Sequence, residues 1–368
     1  MSDIPQQLRA VLRGEASGKT VWQPRIECWY SDREYRGEPL PGKYAGDSML
    51  KLYNKLGVSN RLYIFCECVE KYYDAPAIIE ETIAVDPMTT KHIIRSPAGE
   101  ASAVYRKNSS NFGEMPLKWW VETAEDIEAL TYIEQHTRYR FNRQTYDRLL
   151  AEWGHLGLPC MCMPRVNIQR LLIDLCGVEN TFYLLNDEED AVEELLRAID
   201  GAQLKMADML RETPFEWINY GDNIHAKVLS PRLFEKYVIP AYQARNQRLQ
   251  GAGKFTFAHF DGDVKELLPY FQACGLNGIE AVTPLPQGDI TLREARAAMD
   301  GIFLVDGIAA LLFDESYPLD ELKRQTLECL ELFEGQLVLG ISDEMSSTGT
   351  LDRIEYVTEL VEDFNAKH

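Results

Sequence analysis

The chain has 368 residues, 45% of them hydrophobic and 26% charged, with a formal net charge of −20. This acidity excludes a nucleic-acid partner, which needs a concentrated basic face, and it disfavours an anionic membrane surface. No apolar run reaches the roughly 18 residues needed to span a bilayer, and the opening "MSDIPQQLRAVLRGE" lacks an apolar signal core. With eight cysteines spread over a long chain, reduced thiols in a cytoplasmic protein are expected.

In chain order, residues 1–150 come first and read as cap and extension elements of a single domain covering 1–368. "RIECWYSDREYRGEPLPGKYAG" (25–46) gathers Arg25, Arg33 and Arg36 with Trp29, Tyr30, Tyr35 and Tyr44. Aromatic rings and guanidinium groups together suit a planar or carboxylated ligand. They equally suit a surface segment that turns its aromatics inward. Trp29, Tyr30 and Arg33 are the substrate-binding candidates here. "QPRIECWY" (23–30) or "RLYIFCECV" (61–69) can supply one strand. Residues 72–108 hold short alternating runs separated by Asp-Pro, Thr-Thr and Pro-Ala-Gly, which predicts an antiparallel ribbon. "LKWWVE" (117–122) reads as a core anchor, and helices are predicted at 123–135 and 142–154. The C-x-C pairs Cys66/Cys68 and Cys160/Cys162 place two sulfurs on one strand face, as small buried hydrophobes or as a soft-metal pair.

From residue 158 a strand pattern alternates with a helix pattern. Strands are predicted at 158–163, 181–186, 215–223, 254–260, 278–284, 302–307 and 336–344, each followed by an amphipathic run. The run 230–253 opens with a Ser cap and Pro231 and ends on Gly, and Thr291 with Glu294 forms a capping box. Seven strand–helix units plus one amino-terminal strand predict the α/β class and a (β/α)8 barrel. The competing open, doubly wound sheet would announce itself with a Gly-rich phosphate turn, which is missing.

Parallel strands deliver functional residues at their carboxyl ends. These ends carry Arg165; Asn186 and Asp187; Asp222, Asn223 and His225; His259, Asp261 and Asp263; Glu280; Asp306; and Asp343 with Glu344. Turns and helix caps account for Asp187, Asp263 and Asp289. They do not account for His259 and Glu280, which lie within the alternating runs and are not turn formers. His259, Asp261, Asp222 and Glu280 are therefore the catalytic candidates. Arg165, Asn223, His225 and Asp343 are added to the substrate-binding set. Converging His, Asp and Glu side chains can hold a divalent metal, with His259, Asp222 and Glu280 as ligands and zinc as the ion, or a general acid raised by crowded charge. The two chemistries stay open at this level.

The blocks "YGDNIHAKVLSPRLFEKYVIPAY", "HFDGD", "CGLNGIEAVTPLPQGDITLREAR" and "LGISDEM" resemble the uroporphyrinogen decarboxylase superfamily over residues 165–368. That superfamily holds the decarboxylase of haem synthesis, corrinoid-linked methyltransferases and, more distantly, cobalamin-independent methionine synthase. The resemblance implies a (β/α)8 barrel. In the thiol-methylating members a His-x-Cys zinc motif sits on this strand; here Asp261 replaces the Cys, and "GISDEM" has no Cys. The demethylating methyltransferases are the more similar branch, although Val238 stands where a second Glu is expected.

The resemblance implies a methyltransferase that moves a methyl group from a small O- or N-methylated substrate to a corrinoid carried by a partner protein. The alternative is a metal-independent decarboxylase gripping carboxylates with Arg25, Arg33, Arg36 or Arg165. A non-catalytic binder on the same fold is a third class. A homodimer is among the arrangements the fold admits.

Overall fold

The structure is a computed structural model that describes residues 3–15, 19–109 and 113–368. Its spine is a seven-stranded sheet in which every pairing is parallel. β1 (Val21–Gln23) lies at one edge. The amino-terminal half then adds an antiparallel pair, β2 (Val69–Tyr73) with β7 (Thr137–Phe141). It also adds an antiparallel sheet of β3 (Ile79–Asp86), β4 (Thr89–Ser96), β5 (Gly99–Lys107) and β6 (Glu114–Lys118). The spine resumes with β8 (Cys160–Met163), β9 (Trp217–Tyr220), β10 (Phe255–His259), β11 (Gly278–Glu280), β12 (Phe303–Ala309) and β13 (Leu337–Ser342). Its order is β1-β13-β12-β11-β10-β9-β8.

The chain between residues 58 and 63 runs alongside both edges of this sheet. Ser59 N–H donates to Trp22 O of β1 (3.0 Å). Asn60 N–H donates to Leu156 O (2.8 Å), and Leu62 forms a parallel bridge with Pro159, just before β8. The stretch "RLYIFCECV" therefore starts as an edge-bridging segment and then coils into a short 3₁₀ helix, Tyr63–Cys68.

Side chains alternate across the strands, and the two faces differ. One face carries Val21, Cys160, Trp217, Phe257, Val305 and Val338, which cluster with Leu8, Val11 and Leu12 of the helix Ile4–Leu12. The other carries Ile218, Tyr220, Ala258, Ile279, Leu304, Leu339 and Ile341, which join the larger core built with the helices. On the first face, moving two residues toward the carboxyl end replaces an apolar side chain by a polar one. Val21 leads to Gln23, Trp217 to Asn219, and Phe257 to His259.

One predicted strand is a helix. Residues 181–186 lie inside the helix Val178–Asp187, where Thr181 and Leu184 are buried while Val178, Phe182 and Tyr183 are exposed. Burial on one side of a 3.6-residue repeat fits a surface helix, whereas a parallel strand is buried on both faces. Asn186 and Asp187 accordingly bond each other on an exposed helix end, away from the strand termini. Several predicted helix signals are present as read. Ser230 accepts from Leu233 N–H ahead of Pro231, and Thr291 and Glu294 form a reciprocal capping box. The antiparallel sheet packs on the helix Ala124–His136, which in turn packs on the helix Glu189–Arg211. No helix of the described residues is long and apolar enough to cross a membrane.

Candidate active site

His259 closes β10 and Glu280 closes β11, and the parallel register sets them side by side. The His259 ring Nδ1 lies 2.8 Å from Glu280 Oε2. Glu280 is fully buried and is crowded with donors. Arg61 Nη1 contacts Oε1, Tyr63 O–H donates to Oε1 at 2.7 Å, and Asn219 Nδ2 donates to Oε2 at 2.5 Å. Arg61 also forks onto Asp306, at 2.8 and 3.2 Å. Arg25 stands 3.7 Å from Glu280 and 3.9 Å from Asp306, and holds Glu344 at 2.8 Å.

This arrangement sets the charges. Burial alone would raise the Glu280 carboxyl, but Arg61, Arg25 and His259 outweigh it and hold Glu280 well below the usual carboxylate range. Burial raises Asp306, only partly offset by the same two arginines. Burial would lower His259, yet the Glu280 carboxylate, with Asp261 and Asp343, raises it well above the usual histidine value.

The other imidazole edge faces two carboxylates. Nε2 lies 3.6 Å from Asp261 and 3.7 Å from Asp343. One ligand atom from each of His259, Asp261 and Asp343 falls within 4.8 Å of the others. Asp261 is steadied by Asn223 Nδ2 at 2.6 Å, and Asn223 is in turn held by Arg165 at 2.6 Å. Strained backbone gathers at the same end of the sheet. Asn223, Ala281, Asp306 and Asp343 all have positive φ, between 51° and 83°, a conformation that costs non-glycine residues and clusters at functional sites.

The expected residues divide accordingly. His259, Asp261 and Asp343 come together, with Asn223 and Arg165 behind them. The expected metal set of His259, Asp222 and Glu280 does not form as such. The two Asp222 carboxylate oxygens are taken by Val166 N–H (2.6 Å) and Tyr242 O–H (2.7 Å), and Glu280 is saturated by its donors. His225 lines, with Asn223 and Asp261, a cavity of about 390 Å³ at this end of the sheet. Trp29 is buried, donating to Gly349 O, with Arg33 over its ring at 5.1 Å. Among the described residues no hydrogen bond or ion pair links either to His259, Asp261 or Asp343. Tyr30 lines a second cavity of about 550 Å³ bounded by Arg25, Arg61, Tyr63 and Glu344.

Sequence reasoning missed Arg61, Tyr63 and Asn219 as site residues, and Gln23, which accepts from Arg61 Nε at 3.3 Å. Asn219 and Gln23 had a readable signal, a polar residue in an apolar strand two places beyond an apolar residue of the same face. Arg61 and Tyr63 depend on a long-range approach of the edge segment, for which the local sequence carries no sign.

A family model described as uroporphyrinogen decarboxylase (URO-D) matches residues 170–364. No curated protein matches the chain. Among solved structures, a methyltransferase from Methanosarcina mazei is similar over 99% of both chains, at 14% identity and a TM-score of 0.57. A B12-independent methionine synthase from a Shewanella species is similar over 95% of both chains, at 10% identity and a TM-score of 0.45. At such identity the likeness to the first is one of fold.

Proposed function

Since the chain belongs to the uroporphyrinogen decarboxylase family, we propose that it is a methyltransferase. Its substrate is a small O- or N-methyl compound and its acceptor a corrinoid carried by a partner protein. The reading takes the segment 59–62 as the stave that closes a barrel, and the amino-terminal sheet and helices as a cap over its mouth within one domain.

The observation that carries the reading is the two-sided environment of His259. Its Nδ1 is tied to buried Glu280, so Nε2 is the edge presented to a ligand, between Asp261 and Asp343. An unactivated methyl ether or amine parts with its methyl group only if the leaving atom is stabilised. In the proposed step the bond between the methyl carbon and the heteroatom breaks, and its electron pair stays on the heteroatom. The heteroatom takes the Nε2 proton while the methyl group passes to the corrinoid nucleophile. The raised basicity of His259 keeps the ring protonated before the step, because Glu280 stabilises its charged form, and the proton leaves only as negative charge builds on the departing heteroatom. In place of that proton, the donor set of one imidazole and two carboxylates fits a divalent ion. His259, Asp261 and Asp343 would hold it, and when bound it supplies Lewis acidity toward the same leaving atom.

The pairing of the arginines supports this reading over a decarboxylase. Arg25 is engaged by Glu344 and Arg165 by Asp174, each at 2.8 Å, so these two already hold a protein carboxylate, although Arg25 Nη1 keeps a donor without a hydrogen-bond partner among the described residues. Arg33 and Arg36 share exposed Glu38 at 3.6 and 3.5 Å. The test is methyl transfer from a panel of methoxyarenes and methylated amines to free, reduced cobalamin, followed by absorbance. Transfer that drops at least a hundredfold in His259→Ala is expected. Absence of transfer, with carbon dioxide released from a carboxylic acid by both proteins, would overturn the reading.

A further inference from the structure

On the helical side of the sheet, a cavity of about 290 Å³ lies between the helices Glu189–Arg211 and Ile239–Leu249, beside the π-helical turn Phe234–Val238. Its wall includes Arg245, Asp200, Asn167, Arg197 and Lys236. None of these takes part in the His259 cluster.

Arg245 is the unusual member. It is 1% exposed, its guanidinium lies over the Tyr220 ring at 5.2 Å, and neither Nη1 nor Nη2 has a hydrogen-bond partner among the described residues. A buried charged fork with both terminal donors unmet is costly, and such groups are ordinarily paired. Facing the same space is Asp200. Its Oδ2 accepts from Asn167 at 2.9 Å, while its buried Oδ1 has no partner among the described residues. The two groups sense each other, since Arg245 opposes the rise that burial imposes on the Asp200 carboxyl. Lys236 is already matched by Glu193 at 2.7 Å, and the Arg245 charge also offsets buried Asp222, so what the pocket offers is the pair of unmet Arg245 donors beside the unmet Asp200 oxygen.

We propose that this cavity binds a small carboxylic acid that also carries a hydrogen-bond donor, the amino-acid or hydroxy-acid class. The ligand carboxylate takes the two Arg245 donors as a bidentate pair, and its ammonium or hydroxyl group donates to Asp200 Oδ1. A bare oxyanion would satisfy Arg245 but meet the Asp200 carboxylate. A bare amine would satisfy Asp200 but meet Arg245. A molecule with both groups answers both unpartnered groups at once. The π-helical turn, a deformation frequent at functional sites, helps shape the pocket wall. This inference is independent of the proposed reaction.

The test is calorimetric titration of the full-length protein with L-serine and lactate, with acetate as the carboxylate-only probe and ethanolamine as the amine-only probe. Saturable binding of L-serine or lactate is expected, at least tenfold tighter than acetate or ethanolamine. Arg245→Met should abolish it and Asp200→Asn should weaken it at least tenfold. Should Arg245→Met fail to fold, Ala244→Phe, on the partly exposed helix face lining the cavity, should block the same binding while the protein stays folded. Heat signals that do not saturate would mean that the pocket holds water only, and would overturn the proposal. Binding that survives Arg245→Met or Ala244→Phe, or acetate binding as tightly as serine, would overturn it as well.

Discussion

Arg61→Met removes the guanidinium that Glu280 and Asp306 share. In the folded protein Arg61 reaches Asp306 at 2.8 and 3.2 Å and also contacts Glu280, with all three side chains almost fully buried. An opposite charge near 4 Å contributes about 4 kcal/mol at an effective dielectric of 20. Removing one partner of a buried pair generally costs about 3–5 kcal/mol, because the other charge is stranded. Arg25, at 3.7 and 3.9 Å, remains and keeps the loss within that range.

The pH dependence has a definite sign. Asp306 is raised in the fold, so its contribution is fully present below the unfolded carboxyl value and is lost as pH rises through the folded one. The variant raises it further, so the deficit should be larger at pH 7 than at pH 5. Urea unfolding at the two pH values measures both quantities. A loss below about 1 kcal/mol, the range of exposed ion pairs, or a loss that grows toward acid, would refute the reasoning.

Other expectations follow from the same contacts. In Gly340→Ala the new Cβ would collide with the Asp306 carboxylate and approach the Gln23 carbonyl at 2.9 Å, so denaturant unfolding should show a loss of about 1–3 kcal/mol; a neutral result would mean that the strand can shift. Burial, reinforced by Glu344, raises Glu27, whose oxygen accepts from Tyr53 and Asn60. The wild-type contribution of Glu27 is thus full below about pH 4.3 and falls as pH rises through the higher folded value. Glu27→Gln, which escapes that fall, should gain stability relative to wild type from acid to neutral pH, and a gain confined to acid would contradict the assignment. Asn223→Ala frees Asp261, so affinity for added zinc should drop about 10–100-fold, as read by competition with a chelating dye; unchanged affinity would mean that Asp261 needs no such support.

Much of the spine was legible because its signals are local. The two-residue period of "FTFAHFDGD" and the caps at Ser230 and Thr291 depend on near neighbours, and each appears where the pattern placed it. The strand reading of 181–186 fell to the ambiguity of a short apolar run. "TFYLLN" satisfies a strand template, and only the burial of Thr181 and Leu184 alone among its neighbours shows the helical repeat. At the site, the residue types at the strand ends were readable but their grouping was not. Asp222 and Asp261 look alike in sequence. Whether a carboxylate faces Nε2 or is consumed by a tyrosine and a backbone amide is decided by contacts reaching 20 residues along the chain to Tyr242 and 56 residues back to Val166. Arg61 is farther still, 219 residues from the glutamate it neutralises.

The most direct test of the account is metal stoichiometry by elemental analysis on wild type, Asp343→Ala and Asp222→Asn after loading with zinc and desalting. The grouping of His259, Asp261 and Asp343 predicts about one zinc per chain in wild type and in Asp222→Asn, and little in Asp343→Ala. Zinc retained in Asp343→Ala but lost from Asp222→Asn would contradict that grouping, and zinc absent from all three would rule out the ion and leave the Nε2 proton as the acid.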